Sequence, residues 1–169
     1  YGSISPVSNN PKTNQPYYHD FPVFTIRDMI RTYQKLKDHL AIRKVFIGLG
    51  GSTGGMQLLE WAIEEPELFE HIVPIATDAV LSPWAIAFNA SQRLAIEADT
   101  TWLEKNHDAG QKGLSAARSI ALLSYRHYNG YEITQPRDKV FVSLSKNVTY
   151  ASDNYQRYQG LKLVNRFNA

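Results

Sequence analysis

The chain has 169 residues, with 18 Lys+Arg against 16 Asp+Glu for a formal net charge of +2, so no electrostatic case for nucleic acid exists. Apolar residues at 43% and charged ones at 20% match a globular domain that buries a core, and the longest apolar runs, Val45 to Leu49 and Ala85 to Phe88, fall far short of the ~20 residues a membrane-spanning helix requires. The absence of cysteine excludes a disulfide framework, a thiolate metal site and a cysteine nucleophile, and makes the cytoplasm the expected compartment.

Near Tyr1 no charged n-region precedes an apolar h-region, so no signal peptide is read there. Two sequons, Asn89-Ala-Ser91 and Asn147-Val-Thr149, read as chance matches because nothing else points to a secretory route. Residues 1–22 hold Pro6, Pro11, Pro16 and Pro22, four of the eight prolines, among polar residues; they predict an extended connecting loop. From Thr25 the pattern changes. Thr25 can cap a helix with Asp28 at the third position, and Ile26, Met29, Ile30, Tyr33, Leu36 and Leu40 recur at three- and four-residue spacing.

Lys44-Val-Phe-Ile-Gly-Leu49 is a short apolar run of the kind a parallel strand shows when both faces are covered. Thr53 to Glu65 then reads as a helix apolar almost all round, hence buried, and stopped near Pro66. His71-Ile-Val-Pro-Ile-Ala76 follows as a strand. Helix, strand, helix, strand implies right-handed crossovers and a parallel sheet, so the first half is α/β. Two strands alone do not make a stable parallel sheet, and the chain therefore reads as a partial fold.

Past Thr77 the character turns helical. Ser82 and Pro83 occupy N-cap and first-turn positions of a helix to about Ala98; a second helix is predicted from Gly113 to about Tyr128. Val140-Phe-Val142 is a candidate short strand in the ambiguous stretch 129–151, and Ser152 to Phe167 favours helix despite Gly160. The domain reading is a sheet core over 1–81 and a helical region over 82–169.

Between the first strand and the helix behind it stands Gly50-Gly51-Ser52-Thr53-Gly54, a G-x-S-x-G pattern in the strand-to-helix context the nucleophile elbow demands. The bare pattern occurs by accident in roughly one such chain in twenty at average Gly and Ser usage, so its context carries the weight. An elbow needs a serine on a strained turn, with flanking glycines sparing Cβ clashes. Ser52 is the expected nucleophile, and the Thr53 amide, at a helix N-terminus, the expected oxyanion donor. A phosphate loop fits less well: the lysine of G-x-x-x-x-G-K-[ST] is missing, and Gly48, Gly50 and Gly51 do not form G-x-G-x-x-G.

On the Gly113 helix, Arg118 shares a face with Leu114, Ala121, Leu122 and Tyr125, and no acid stands three or four residues away. A guanidinium there wants a planar anion, either a substrate carboxylate or a distant Asp or Glu. Arg93 differs: Glu97 at i+4 predicts a local surface pair. Trp84, Phe88, Trp102, Tyr125 and Tyr128 read as packing residues rather than a stacking platform. No His, Asp and Glu stand at metal-ligand spacing, so no metal is expected.

The residues resemble the homoserine O-acetyltransferase family of α/β-hydrolase-fold acyltransferases. The resemblance is carried by Asp20-Phe-Pro22 with Thr25-Ile-Arg-Asp-Met29, Gly50-Gly-Ser-Thr-Gly-Gly-Met-Gln57 with Glu60-Trp61-Ala62, Ile75-Ala-Thr77, Ile86-Ala-Phe-Asn89 with Gln92-Arg93, Gly113-Leu114 with Ala117-Arg118, Tyr125-Arg126 and Tyr158-Gln-Gly160. Thr53 departs from the family, which usually has a bulky apolar residue there, and Gln135 to Thr149 does not align.

This resemblance implies a ping-pong transfer in methionine biosynthesis: Ser52 takes the acetyl group of acetyl-CoA, and the hydroxyl of L-homoserine then attacks the acyl-serine. Arg118 matches the family's homoserine-binding arginine, a histidine acts as base with an aspartate orienting it, and a homodimer through the helical lid is implied. No bound cofactor is implied beyond acetyl-CoA as substrate. His71 should precede its strand at the far sheet edge, and His107 and His127 match no triad position. The family's acid and base lie downstream of its Tyr-Gln-Gly segment, so this chain reads as an internal piece, inactive alone. A hydrolase of the same fold and a noncatalytic assembly module are the alternatives.

Overall fold

The structure is a computed structural model that describes residues 3–142 and 147–169. It divides into a sheet unit, Pro22–Leu81, and a helical unit that joins residues 3–21 to Ser82–Ala169. The N-terminal segment therefore groups with the helices, not with the sheet core as a 1–81 division expects.

In the sheet unit, helix α1 (Ile26–His39) opens with a complete capping box. Thr25 Oγ1 accepts the Asp28 N–H at 3.3 Å, and the Asp28 carboxylate accepts the Thr25 N–H at 2.9 Å. Two orphan amides of the first turn are satisfied this way. The apolar stripe of α1 buries Ile30 completely, with 0% exposure.

Strand β1 (Val45–Gly51) pairs in parallel with β2 (Phe69–Ile75), in a register that sets Ile47 opposite His71 and Gly51 opposite Ile75. Helix α2 (Thr53–Glu64) packs on both strands and on α1. Gly48 permits that packing: a Cβ there would fall 3.0 Å from a Phe69 ring carbon and collide with Leu58.

Two expectations change here. His71 lies inside β2 rather than ahead of it, because the strand starts at Phe69. Nor is α2 buried all round: Gly55 and Leu58 are buried, while Ile63 remains 69% exposed. Among the described residues nothing covers the Ile63 side of this apolar helix.

In the helical unit, residues 3–21 are not simply extended. Asn9 bridges Pro16 across a turn, and Tyr18–Asp20 forms a single 3-10 turn. The His19 ring bonds the Trp102 carbonyl through Nε2 at 2.7 Å and stands edge-on to the Trp102 ring. That contact docks the segment on the loop ahead of α4.

Helix α3 (Pro83–Glu97) starts as the sequence predicts, with Ser82 Oγ accepting the Ala85 N–H at 3.2 Å and Pro83 in the first turn. Helix α4 (Gln111–Ser124) is entered through Gly110 in the left-handed region, φ 73°. Asp99 reaches back to its N-terminus and accepts the Gly113 N–H at 2.9 Å.

Helix α4 ends at Ser124 rather than near Tyr128, because His127 turns extended (φ −80°, ψ 140°) and a separate α5 (Tyr128–Thr134) begins. No Gly or Pro marks that break. β3 (Lys139–Val142) is the short strand expected at Val140 to Val142, and it pairs antiparallel with β4 (Asn147–Tyr150). The Asn147 side chain of the second sequon lies outside the described residues.

Helix α6 (Ala151–Val164) stops short of Phe167 and packs on α4. Gly160, an interruption by propensity, is its contact point: a Cβ there would overlap the Ser115 hydroxyl and lie 2.8 Å from the Ser115 carbonyl oxygen.

Candidate active site

Ser52 sits between the last residue of β1 and the first of α2 with φ 52° and ψ −124°. That conformation costs a non-glycine residue of order 1–3 kcal/mol, so surrounding bonds must hold it. The Ser52 N–H donates to the Ile75 carbonyl at 2.9 Å, and its own carbonyl accepts from Gly55 at 2.8 Å and Met56 at 3.2 Å. The side chain is exposed and makes no capping bond. Its hydroxyl makes no hydrogen bond among the described residues and stands at a sharp bend, as an acyl carrier requires.

Ala76, just past β2, also has positive φ, 47°. Since Gly51 pairs with Ile75, two strained residues stand side by side at the carboxyl edge of the parallel pair.

The Thr53 and Gly54 amides occupy the first two positions of α2, and neither finds an acceptor among the described residues. Orphan amides at a helix N-terminus carry partial positive charge and suit an oxyanion.

The glycines around Ser52 are not equivalent. At Gly50 a Cβ would overlap the Gly54 carbonyl oxygen and lie 2.7 Å from its carbon and 2.9 Å from Gly55 Cα. At Gly55 it would overlap Thr77 Cγ2 and lie 2.7 Å from Thr77 Cβ. At Gly54 it would meet nothing within 4 Å. Steric need therefore explains Gly50 and Gly55, and the expectation that both glycines of the motif avoid clashes fails at Gly54.

None of the candidate histidines is bonded to Ser52 among the described residues. His71 faces Ile47, five residues before Ser52 along β1, about 16 Å at 3.3 Å per residue. His107 is exposed beside Asp108 and Asn168 in the helical unit, and His127 precedes α5 without a capping bond.

In the helical unit, Arg118 is half-buried on α4 with its guanidinium carbon 5.8 Å from the Tyr125 ring centroid. It makes no ion pair among the described residues. Tyr125, expected on this face as a packing residue, instead stacks on the guanidinium, and its i+7 spacing from Arg118 is the signal the sequence carries for that contact. Arg93 corrects a second expectation: no ion pair with Glu97 forms. Both arginines line one cavity of about 330 Å³ between α3, α4 and α6. Among the described residues no group of three His, Asp or Glu could hold a metal, and no helix is long and apolar enough to cross a membrane.

The model of the α/β hydrolase fold family matches residues 4–162. The chain belongs to that family. This α/β hydrolase is 46% identical to the homoserine O-acetyltransferase of Cyclobacterium marinum and 41% identical to that of Carboxydothermus hydrogenoformans. Each match covers 100% of this chain and 47% or 46% of the relative, so the chain spans about half the length of the curated relatives it matches. Among solved structures, the homoserine O-acetyltransferase from Bacillus anthracis superposes with a TM-score of 0.83 at 24% identity, over 96% of this chain and 45% of that one. Esterase E22 superposes with 0.79 at 24% identity, over 98% and 47%. At that identity the two likenesses speak to the fold.

Proposed function

We propose that the whole protein is a homoserine O-acetyltransferase working through an acetyl-enzyme on Ser52. The observation that carries the reading is the exposed Ser52 hydroxyl at φ 52° ahead of two unpaired helix-terminal amides; the names of the relatives at 46% and 41% identity support the choice of substrates.

In the first half-reaction Ser52 Oγ attacks the thioester carbonyl carbon of acetyl-CoA, and its proton passes to a histidine base. Negative charge develops on the carbonyl oxygen, where the Thr53 amide donates. The C–S bond then breaks, and coenzyme A leaves as a thiol with the proton returned by that base. In the second, the homoserine hydroxyl loses its proton to the base and attacks the acyl-serine. The bond between Ser52 Oγ and the acyl carbon then breaks, the base returns the proton to Oγ, and O-acetylhomoserine leaves with Ser52 restored. Arg118, which has no ion pair among the described residues, takes the homoserine carboxylate in a bidentate pair.

Acetyl-CoA is a consumed substrate, and the reaction belongs to methionine biosynthesis in the cytoplasm, in a homodimer assembled through residues 82–169. The test compares acetyl transfer to homoserine with simple ester hydrolysis by the full-length protein. Transfer well above hydrolysis, abolished by Ser52→Ala, is expected. Hydrolysis without transfer would assign the chain to the esterases, and a Ser52→Ala variant as fast as the parent would remove the serine mechanism.

A further inference from the structure

Where α4 stops at Ser124 and α5 starts afresh at Tyr128, the chain encloses a cavity of about 690 Å³. That volume is ordinary for a small-molecule site, which runs from about 300 to 1,000 Å³. Tyr128, Tyr131, Glu132 and Gln135 line it from α5 at i, i+3, i+4 and i+7, so one face of this short helix is turned to it. Arg126 lines it from the turn ahead of α5, and Arg137 from the loop ahead of β3.

Both arginines are exposed, and water alone keeps their charge solvated. What marks the site is how they are held. Arg126 donates through Nη2 to the Tyr155 hydroxyl at 3.3 Å, and the Arg137 guanidinium carbon lies 5.8 Å from the Tyr150 ring centroid. Neither makes an ion pair among the described residues. Each tyrosine contact restrains a guanidinium and leaves most of its five N–H donors unspent. Tyr128 is 70% exposed, and its hydroxyl is anchored on Glu132 Oε1 at 2.7 Å. An exposed ring tethered at its edge is a stacking surface for a base, and two braced guanidiniums are donors for phosphate.

We infer that this cavity takes the 3′-phosphoadenosine diphosphate end of the acyl donor, with the adenine on Tyr128 and the phosphates on Arg126 and Arg137. The inference rests on the proposed function and deepens it, because it names the residues that recognise the donor's nucleotide. Homoserine is far smaller than this volume, and its one carboxylate gives two arginines on different segments little to share. The donor carries phosphates at two places on one nucleotide, which suits guanidiniums reaching in from either side of α5. The second carboxylate oxygen of Glu132 is left to accept from the ribose hydroxyl.

The experiment uses the full-length protein with Arg126→Gln and Arg137→Gln, assayed at saturating homoserine with acetyl-CoA and with S-acetylpantetheine, the same thioester without its nucleotide. In each variant the KM for acetyl-CoA is expected to rise about tenfold, the loss of a charged hydrogen bond. The kinetics with S-acetylpantetheine and the KM for homoserine should hold, a split that a merely structural role would not produce. Arg137→Lys, which keeps the charge without the fork, should recover part of the loss. Adenosine 3′,5′-diphosphate should compete with acetyl-CoA in the parent and weaken as an inhibitor in both variants. Arg126 also braces α6 through Tyr155, so Arg137→Gln carries the test if Arg126→Gln fails to fold.

An equal loss with both donors would make the arginines structural and overturn the inference. So would two working variants with unchanged acetyl-CoA kinetics, or inhibition by the nucleotide that acetyl-CoA does not relieve, which would mark a separate regulatory site. A parent protein that uses acetyl-CoA and S-acetylpantetheine equally well overturns the inference while the serine mechanism stands. A parent that is acetylated on Ser52 by neither donor overturns the proposed function itself, so the two failures are told apart.

Discussion

Alanine at Gly50 and alanine at Gly54 should move stability in opposite directions, although both positions belong to the same motif. A Cβ at Gly50 meets only backbone: it overlaps the Gly54 carbonyl oxygen and sits 2.7 Å from the Gly54 carbonyl carbon and 2.9 Å from Gly55 Cα. Carbon atoms in contact prefer about 3.5–4.0 Å, so the end of β1 and the start of α2 must part by about 1 Å. Overpacking of this kind costs about 1–3 kcal/mol, and alanine recovers about 0.4–1 kcal/mol by restricting the unfolded chain. The net is a loss of about 1–2 kcal/mol. At Gly54 nothing lies within 4 Å of the Cβ position, the residue is in the first turn of α2, and only the gain of about 0.4–1 kcal/mol applies. The gain from restricting the unfolded chain is common to both, so the two variants should differ by the overpacking cost, about 1–3 kcal/mol, a separation of roughly 2–12 °C in Tm for a chain of this size. Thermal unfolding followed by circular dichroism reads the difference. Superimposed transitions, or a Gly54→Ala variant less stable than Gly50→Ala, would refute the packing argument for the elbow.

The capping box makes Thr25→Ala cost about 1 kcal/mol in urea unfolding, with Thr25→Ser recovering most of it because the serine hydroxyl can accept the same Asp28 amide. Asp99 gives an acid dependence: the amides of Gly113 and Thr101 and the Thr101 hydroxyl hold its carboxylate at a pKa of about 2, below its ordinary 3.8. A depressed carboxylate contributes stability above its unfolded pKa and loses it as pH falls through the folded one. Unfolding midpoints of the parent should thus drop between about pH 4 and pH 2, and Asp99→Asn should lack that part of the slope; an unchanged slope would remove Asp99 from the N-terminus of α4.

Much of this was legible in the residues because local chemistry decided it. The Thr25 and Ser82 caps, the parallel pair flanking an elbow and the strand at Val140 to Val142 all follow from patterns spanning a few positions. What escaped was decided at a distance. The break after Ser124 has no Gly or Pro to announce it, and it depends on His127 turning extended. Gly160 read as a weak spot in a helix, since only the approach of Ser115 gives the missing side chain a purpose. At the site, periodicity placed Arg118 and Tyr125 on one face, but the i+4 rule misled at Arg93. An exposed pair on a helix is worth little, so spacing alone could not commit that guanidinium to Glu97.

The central claim is that one hydroxyl, Ser52 Oγ, carries the acyl group between two substrates. It is tested most directly by mixing the full-length protein with acetyl-CoA in the absence of acceptor and reading the intact mass and the Ser52 peptide. The account predicts the mass of one added acetyl group on Ser52, lost on addition of homoserine as O-acetylhomoserine appears, and absent in Ser52→Ala. Transfer to homoserine with no acetyl found on Ser52 at any time would contradict it.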